Sequence, residues 1–293
     1  MKKFKRLLKF LGVAVLLFGF AACCVACYDE DAPENESELS SDTEAPETES
    51  SSETNEAMPK ATLIFEDNFD GDELDTSKWE KCPEWNRREH NRWSNEMSFL
   101  DGNGHYVSRM IWDAETQQVV SGGIRTKGIF EYGYGYYEAS IKFPKAPGSW
   151  GAFWLMAGDL NNIDGSAADG VEIDVIESIS NDKGRYNHNL HWDGYGEDHK
   201  EYKPTVRKAI DIYDGKFHTF GVLCNEEGYF FYVDGVLSGI AYAFSCAPCP
   251  LDRFMILSGE AADWAGAGTP ESIAAFPVDI LVDYVRVYSD LPY

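Results

Sequence analysis

Nine residues, Gly170-Val171-Glu172-Ile173-Asp174-Val175-Ile176-Glu177-Ser178, constrain this chain more than any others. Their aliphatic residues are good β-formers, so the stretch reads as a strand, yet it carries three carboxylates in six positions. Side chains on a strand alternate between faces. Glu172 and Asp174 then share one face and Val171 and Ile173 the other, while strict alternation sends Glu177 to the apolar side. One extra residue near Val175-Ile176, a β-bulge, returns Glu177 to the face of the other two acids. The fold must therefore supply a sheet with one apolar face and one face where three acids converge. Like charges that close repel and raise at least one pKa.

Glycoside hydrolysis uses such an arrangement. One carboxylate attacks the anomeric carbon, and a second, held protonated, protonates the leaving oxygen. Retaining enzymes hold the two carboxyls about 5 Å apart. Four strand steps span about 13 Å between Cα atoms, a gap that two Glu side chains leaning together on a concave sheet largely close. Asp174 between them can share a proton or hydrogen bond and set the two pKa values apart.

The rest of the 293-residue chain narrows the setting. A formal net charge of −25 argues against a nucleic-acid groove. Residues 1–22 read as an export signal, with Lys2, Lys3, Lys5, Arg6 and Lys9 ahead of the apolar run Phe10–Phe20 and Ala21-Ala22. That run is too short for a membrane span. Cysteines at 23, 24 and 27 follow small residues, which resembles a bacterial lipoprotein signal, with Cys23 or Cys27 as the lipidated residue. The expectation is an exported bacterial protein, either a cell-surface lipoprotein that meets the membrane only through its anchor or a secreted one. Residues 23–60 read as a disordered tether, because from Tyr28 onward twelve acids and one Lys stand among Ser, Thr and Pro, with too few aliphatic residues to build a core. The domain runs from 61 to 293. Its four cysteines, Cys82, Cys224, Cys246 and Cys249, permit a disulfide outside the cell, but spacing does not fix a pairing. No sequence feature calls for an oligomer, so a monomer is expected.

Within the domain, short strands recur between turn signals, and no long segment has helical periodicity, which argues an all-β sandwich. In 132–143, Tyr137, Ala139, Ile141 and Phe143 alternate with Glu138, Ser140 and Lys142. In 149–156, Trp150, Ala152, Trp154 and Met156 share one face and Phe153 and Leu155 the other. The near-continuous apolar run there also suits a strand buried on both faces. The acids on the next strand favour a cleft position for Trp150 and Trp154. Asn187, Asn189 and His191 share a strand face opposite Leu190, and His188 falls on the other face from His191. The irregular, aromatic and polar stretch 82–105 reads as a binding loop.

Several of these segments together resemble glycoside hydrolase family 16. Glu172-x-Asp174-x-x-Glu177 is similar to the signature of its bulged branch, which holds laminarinase-like β-1,3-glucanases, agarases, porphyranases and carrageenases. Tyr136-Tyr137-Glu138-Ala139, Trp150-Gly151-Ala152-Phe153-Trp154-Leu155-Met156, His218-Thr219-Phe220 and Tyr232-Val233-Asp234-Gly235 are similar to other ordered pieces of the family. The resemblance covers about 63 to 289. It implies a β-jelly-roll sandwich (concanavalin A-like) with a concave substrate cleft. It implies Glu172 as nucleophile, Glu177 as acid/base and Asp174 as the group that tunes them, with no cofactor for catalysis. Trp150, Trp154 and Trp264 would line sugar subsites, His191 would hydrogen-bond sugar or a carboxylate, and Trp93, Asn95 and Arg125 would border the cleft. The adjacency of Asn95 and Glu96 departs from the family's Asn-x-Glu. Many members carry a structural Ca²⁺ at an Asp in a Val-Asp-Tyr-Val strand. Asp283 matches it, and regular alternation places Asp283 on an apolar face with Leu281, Val285 and Val287, where it needs either a cation or an Arg partner. The implied activity is retaining, endo-acting hydrolysis of a β-linked polysaccharide, with β-1,3- or mixed-linkage glucan foremost. A galactan of the agar, porphyran or carrageenan type is the alternative, for which Arg87, Arg88 and Arg92 would supply basic subsites. A surface glycan-binding protein on the same fold is the reading from a different class.

Overall fold

The computed structural model describes residues 61–180, 185–207 and 209–293. The export signal, the acidic stretch 23–60, Cys23 and Cys27 lie outside the described residues. Two sheets face each other. The seven-stranded sheet runs, in spatial order, Lys200–Tyr202, Arg185–Trp192, Gly170–Ile179, Ser149–Gly158, Arg253–Ala261, Gly123–Arg125 and Glu80–Lys81. The eleven-stranded sheet is centred on His218–Asn225, Gly135–Lys142, Val278–Tyr288 and Tyr106–Asp113. Among the described residues the strand pairings are antiparallel except that of Asn91–Trp93 with Gln118–Ser121. This is the all-β sandwich that the alternating patterns predict, in the jelly-roll form that the family resemblance implies.

The inner faces follow from those patterns. Phe153, Leu155, Val171, Ile173, Leu190 and Leu257 from the smaller sheet pack in one buried cluster with Tyr137, Ala139, Ile141, Phe220, Val222 and Phe231 from the larger. Each Val, Leu, Ile and Phe among them contributes about 1.5–3 kcal/mol by leaving water. A Cβ at Gly151 would meet Ile280 Cδ1 at 2.6 Å and the Phe143 ring at 2.8 Å, so glycine on the tryptophan strand Ser149–Gly158 leaves room for both side chains.

The bulge expected at Val175-Ile176 is present. Against Arg185–Trp192 the register runs Asp174 to Asn189 and then Glu177 to Asn187, three steps on one strand against two on the other. The same shift appears against the tryptophan strand, between Phe153 and Trp154. Val175 and Ile176 are both fully buried. A bulge takes backbone groups out of the ladder, and here His188 Nδ1 meets the Val175 carbonyl at 2.6 Å. Its Nε2 lies 2.9 Å from Ser238 Oγ, and the ring stacks on Phe231 at 4.8 Å. His188 is buried, which lowers its pKa to about 4 and keeps it neutral. The consistent tautomer has Nδ1–H donating to Val175 and Nε2 accepting from Ser238.

Asp283 corrects the sequence reading. A second register shift lies between Val282, opposite Ile141, and Tyr284, opposite Ser140. The buried positions are therefore Ile280, Val282, Val285 and Val287, and Asp283 leaves the apolar face half-exposed. Ser140 Oγ donates to its carboxylate at 3.3 Å. One carboxylate and one hydroxyl fall short of the six to eight oxygens a Ca²⁺ takes. Among the described residues, Asp283 joins neither cluster of acids and histidines close enough to share an ion. Asp283 and Ser140 by themselves supply only part of that set of oxygens, and with the bulge the buried-charge reason for a cation disappears.

Candidate active site

The outer face of the seven-stranded sheet forms a cleft of about 760 Å³. Its lining draws on strands from Lys200–Tyr202 at one edge to Gly123–Arg125 near the other, with Cys82 beyond. Glu172, Asp174 and Glu177 all lie on its floor. The bulge makes this so: Val171, Ile173, Val175 and Ile176 point into the core while the three acids share the opposite face.

The acids are buried and differ in their surroundings. Tyr195 hydroxyl donates to Glu172 Oε2. Burial raises the Glu172 pKa, while that hydrogen bond and His191 pull it down. Burial and the neighbouring Glu172 raise Asp174 well above its ordinary value. His191 Nε2 lies 3.4 Å from Asp174 Oδ2, a loose contact that leaves this buried oxygen without a proper hydrogen bond. Burial, followed by the charge on Asp174, lifts Glu177 to about 8. At neutral pH the site therefore holds a protonated Glu177 beside a Glu172 whose ionised form has a donor. Two carboxyls in such unlike surroundings on one floor could serve as acid and nucleophile.

The walls are aromatic and basic. Trp154 Nε1 donates to Ser258 Oγ at 3.1 Å, and Trp93 Nε1 to the Gly259 carbonyl at 3.1 Å, which fixes both indoles. Trp150 meets Trp264 edge-on at 4.6 Å. Glu260, buried on the strand Arg253–Ala261, accepts from Arg87 Nε and Nη2 at 3.1 and 2.9 Å and from Arg88 Nε at 3.0 Å. The Arg87 guanidinium sits 4.4 Å above Trp93 and that of Arg88 4.4 Å above Trp150. One carboxylate thus fastens the short strand Asn86–Arg88 to the strand Arg253–Ala261 and lays two guanidiniums along the cleft. On the other side of the acids, His191 Nδ1 and His199 Nε2 are 2.8 Å apart, with Lys203 and Glu201 beyond.

Of the residues singled out from sequence, Trp93, Trp150, Trp154, Arg125, His191 and Trp264 line this cleft. Arg125 is occupied by Glu80, with its Nε 2.6 Å from Oε1. Asn95 does not line it. It lies exposed in a 3-10 turn, where its N–H donates to Glu84 at 2.8 Å and its carbonyl accepts from Lys81 Nζ. The turn Asn95–Met97 carries Asn95 away from the cleft although Trp93, two residues earlier, points in. Sequence reasoning missed Tyr195, His199, Lys203 and Glu260 as cleft residues. All four depend on pairings across the sheet or on loop paths, which no local pattern encodes. Two clusters among the described residues have ligand atoms within 4.8 Å of one another, Glu172–Asp174–His191 and the surface group Glu89–His90–Asp263. The four domain cysteines are free and buried, and burial pushes Cys82 and Cys246 up to about 12.

Comparison with known proteins agrees with this architecture. An endo-1,3-1,4-β-glycanase of Rhizobium meliloti is 29% identical over 170 residues, 58% of this chain and 33% of the relative. Glucan endo-1,3-β-glucosidase A1 of Niallia circulans is 25% identical over 269 residues, covering 81% of this chain and 39% of the relative. The chain thus spans well under half the length of these curated relatives. Among solved structures, the laminarinase catalytic domain of Thermotoga maritima superposes with a TM-score of 0.64 at 25% identity, covering 79% of this chain and 99% of that one. The family profile described as "Beta-porphyranase A-D, GH16 domain" matches residues 63–290, from the first described strand to just past the last. With that profile matched across both sheets, the chain belongs to glycoside hydrolase family 16.

Proposed function

We propose that this chain is a retaining, endo-acting glycoside hydrolase of a β-linked polysaccharide, with β-1,3- or mixed-linkage glucan as its first substrate. The observation that carries the proposal is the trio of buried carboxylates on the cleft floor, with Glu177 raised to about 8 and Glu172 given its own hydrogen-bond donor. Glu172 attacks the anomeric carbon, and Glu177 gives its proton to the departing oxygen. Water then attacks the glycosyl-enzyme and loses a proton to Glu177. Asp174, whose own pKa burial and Glu172 raise, stands between them and helps set their pKa values apart. A cleft that crosses the sheet accepts a chain from its middle, and indole faces suit the C–H faces of pyranoses. The name of the Niallia circulans relative supports a glucan.

A second reading, a galactan of the porphyran type, is favoured by the description of the matching profile and by Arg87 and Arg88 in the cleft. Glu260 neutralises part of that positive charge, which keeps glucan first. Laminarin, lichenan, agarose, porphyran and κ-carrageenan, each incubated with the protein, decide the substrate by the oligosaccharides released. The initial product should be the β-anomer by NMR. Glu172→Gln should lower kcat by about three orders of magnitude or more with the circular dichroism spectrum and Tm maintained. Wild-type turnover in that variant sinks the assignment, and binding without cleavage by the wild type marks a glycan-binding protein. The signal-like start and Cys23 and Cys27 support a lipid-anchored exported protein. Labelled palmitate should enter the wild type and be lost with Cys23→Ser or Cys27→Ser, and no incorporation at all would mark plain secretion.

A further inference from the structure

Tyr195 stands out among the cleft residues because its hydroxyl reaches the carboxylate assigned to attack. The residue as a whole is 62% exposed on the cleft wall, while its hydroxyl reaches Glu172 Oε2. The loop that carries it is fastened at its base. Asp193 (φ 58°) is buried, and its carboxylate accepts the N–H groups of Asp164 and Gly165 at 3.2 Å each and Lys200 Nζ at 2.7 Å. The next residue, Gly194 (φ 71°), donates its N–H to the Leu160 carbonyl at 2.6 Å. Two consecutive left-handed residues turn the chain sharply, so Tyr195 leaves the strand Arg185–Trp192 and folds back over the acid strand. Loop 159–169, which leads into the acid strand, and the loop bearing Tyr195 are thereby tied together.

We infer that Tyr195 is a positioning residue that fixes the ionisation and the attacking oxygen of Glu172, with Asp193 as the latch that holds it there. This rests on the hydrolase reading above. A donor on Oε2 favours the charged carboxylate and leaves Oε1 as the free nucleophile. In the first step Oε1 bonds to the anomeric carbon while the bond to the leaving oxygen breaks and takes the Glu177 proton. In the second, water oxygen bonds to that carbon, its proton passes to Glu177, and the electron pair of the ester bond returns to Glu172. Tyr195 keeps its own proton throughout. It strengthens its hydrogen bond as charge returns to Glu172, so it speeds the second step as well as aiming the first. Burial and the adjacent Glu172 raise its own pKa, which keeps it a donor over the working range.

The test compares Tyr195→Phe, Asp193→Asn and Glu172→Gln with the wild type on whichever polysaccharide the panel identifies. Loss of a hydrogen bond to a charged group is worth about tenfold to a hundredfold. Tyr195→Phe should lower kcat by that factor, with KM within about twofold. The acidic limb of kcat/KM should move to higher pH by half a unit or more, because Glu172 without its donor ionises later. Asp193→Asn should shift the limb in the same direction by less. A limb that stays in place, or a rise in KM with unchanged kcat, overturns the inference and makes Tyr195 a sugar contact or a structural residue. Glu172→Gln separates the two levels: wild-type turnover there removes the hydrolase reading, whereas an inactive Glu172→Gln with an unmoved Tyr195→Phe limb removes only the role of Tyr195.

Discussion

Glu177 shows how much a single side chain decides. Its folded pKa of about 8 lies far above the 4.5 of a free Glu, with burial as the main cause. The acid role proposed for it needs the protonated form, so kcat/KM should fall as pH rises through about 8. With an aryl glycoside whose leaving group needs no proton, Glu177→Gln should abolish that limb and keep the first step. The same shift acts on stability. Below 4.5 both folded and unfolded chains hold this proton, and between 4.5 and 8 only the folded one does, so stability falls as pH rises across that window. By pH 7 the cost is on the order of 3 kcal/mol. Glu177→Gln should therefore melt above the wild type at pH 7 and lose that advantage towards pH 4.5, as read by thermal unfolding at both pH values. At this scale the acids were legible because three carboxylates among aliphatic residues leave few places to go. The tryptophans of 149–156 were legible because alternation pairs each with an inward Phe or Leu. Glu260 and Tyr195 were not, since each acquires meaning only from a residue far away in sequence, Arg87 and Glu172 respectively.

The bulge is the element on which the site turns, and its two faces are held by different groups. On the cleft side it presents Glu177. On the core side His188 takes up the Val175 carbonyl and Ser238 completes the chain of hydrogen bonds. His188→Phe keeps an aromatic ring on Phe231 but leaves a buried carbonyl and a buried hydroxyl unpaired, at a cost of about 2 kcal/mol or more. Urea unfolding should show that loss, and kcat should fall with it because the bulge that aims Glu177 relaxes. An unchanged kcat in a folded His188→Phe chain would separate the bulge from the aim of Glu177. The bulge in the acid strand could be foreseen because it rescues a carboxylate from an apolar face. The bulge at Asp283 could not be foreseen in the same way, since Asp279-Ile280-Leu281-Val282-Asp283 alternates in either register until Val282 is paired with Ile141 and Tyr284 with Ser140.

For the molecule as a whole, the two sheets divide the work. The seven-stranded sheet gives its outer face to the cleft, and the eleven-stranded sheet supplies the other half of the core. Alternation marks Glu138 as solvent-facing, yet it is buried, accepting from Tyr136 and Tyr284 hydroxyls at 3.0 and 2.9 Å, while Tyr293 reaches Tyr136 at 2.6 Å. Pattern along one strand cannot report a distant segment laid across it. The family profile, the core cluster and the cleft all fall within 61–293. A fragment of those residues should accordingly keep kcat/KM on a soluble polysaccharide within about twofold of the full chain, measured by reducing-end release. A larger loss would mean that 1–60 contributes to turnover. One property of the walls has a use in the laboratory. Five of the eight tryptophans, Trp85, Trp93, Trp150, Trp154 and Trp264, line the cleft. Their ultraviolet emission responds to water contact, and an oligosaccharide that displaces water from those indoles changes its colour and intensity. In the Glu172→Gln chain, where the ligand stays whole, that glow should titrate occupancy without any label.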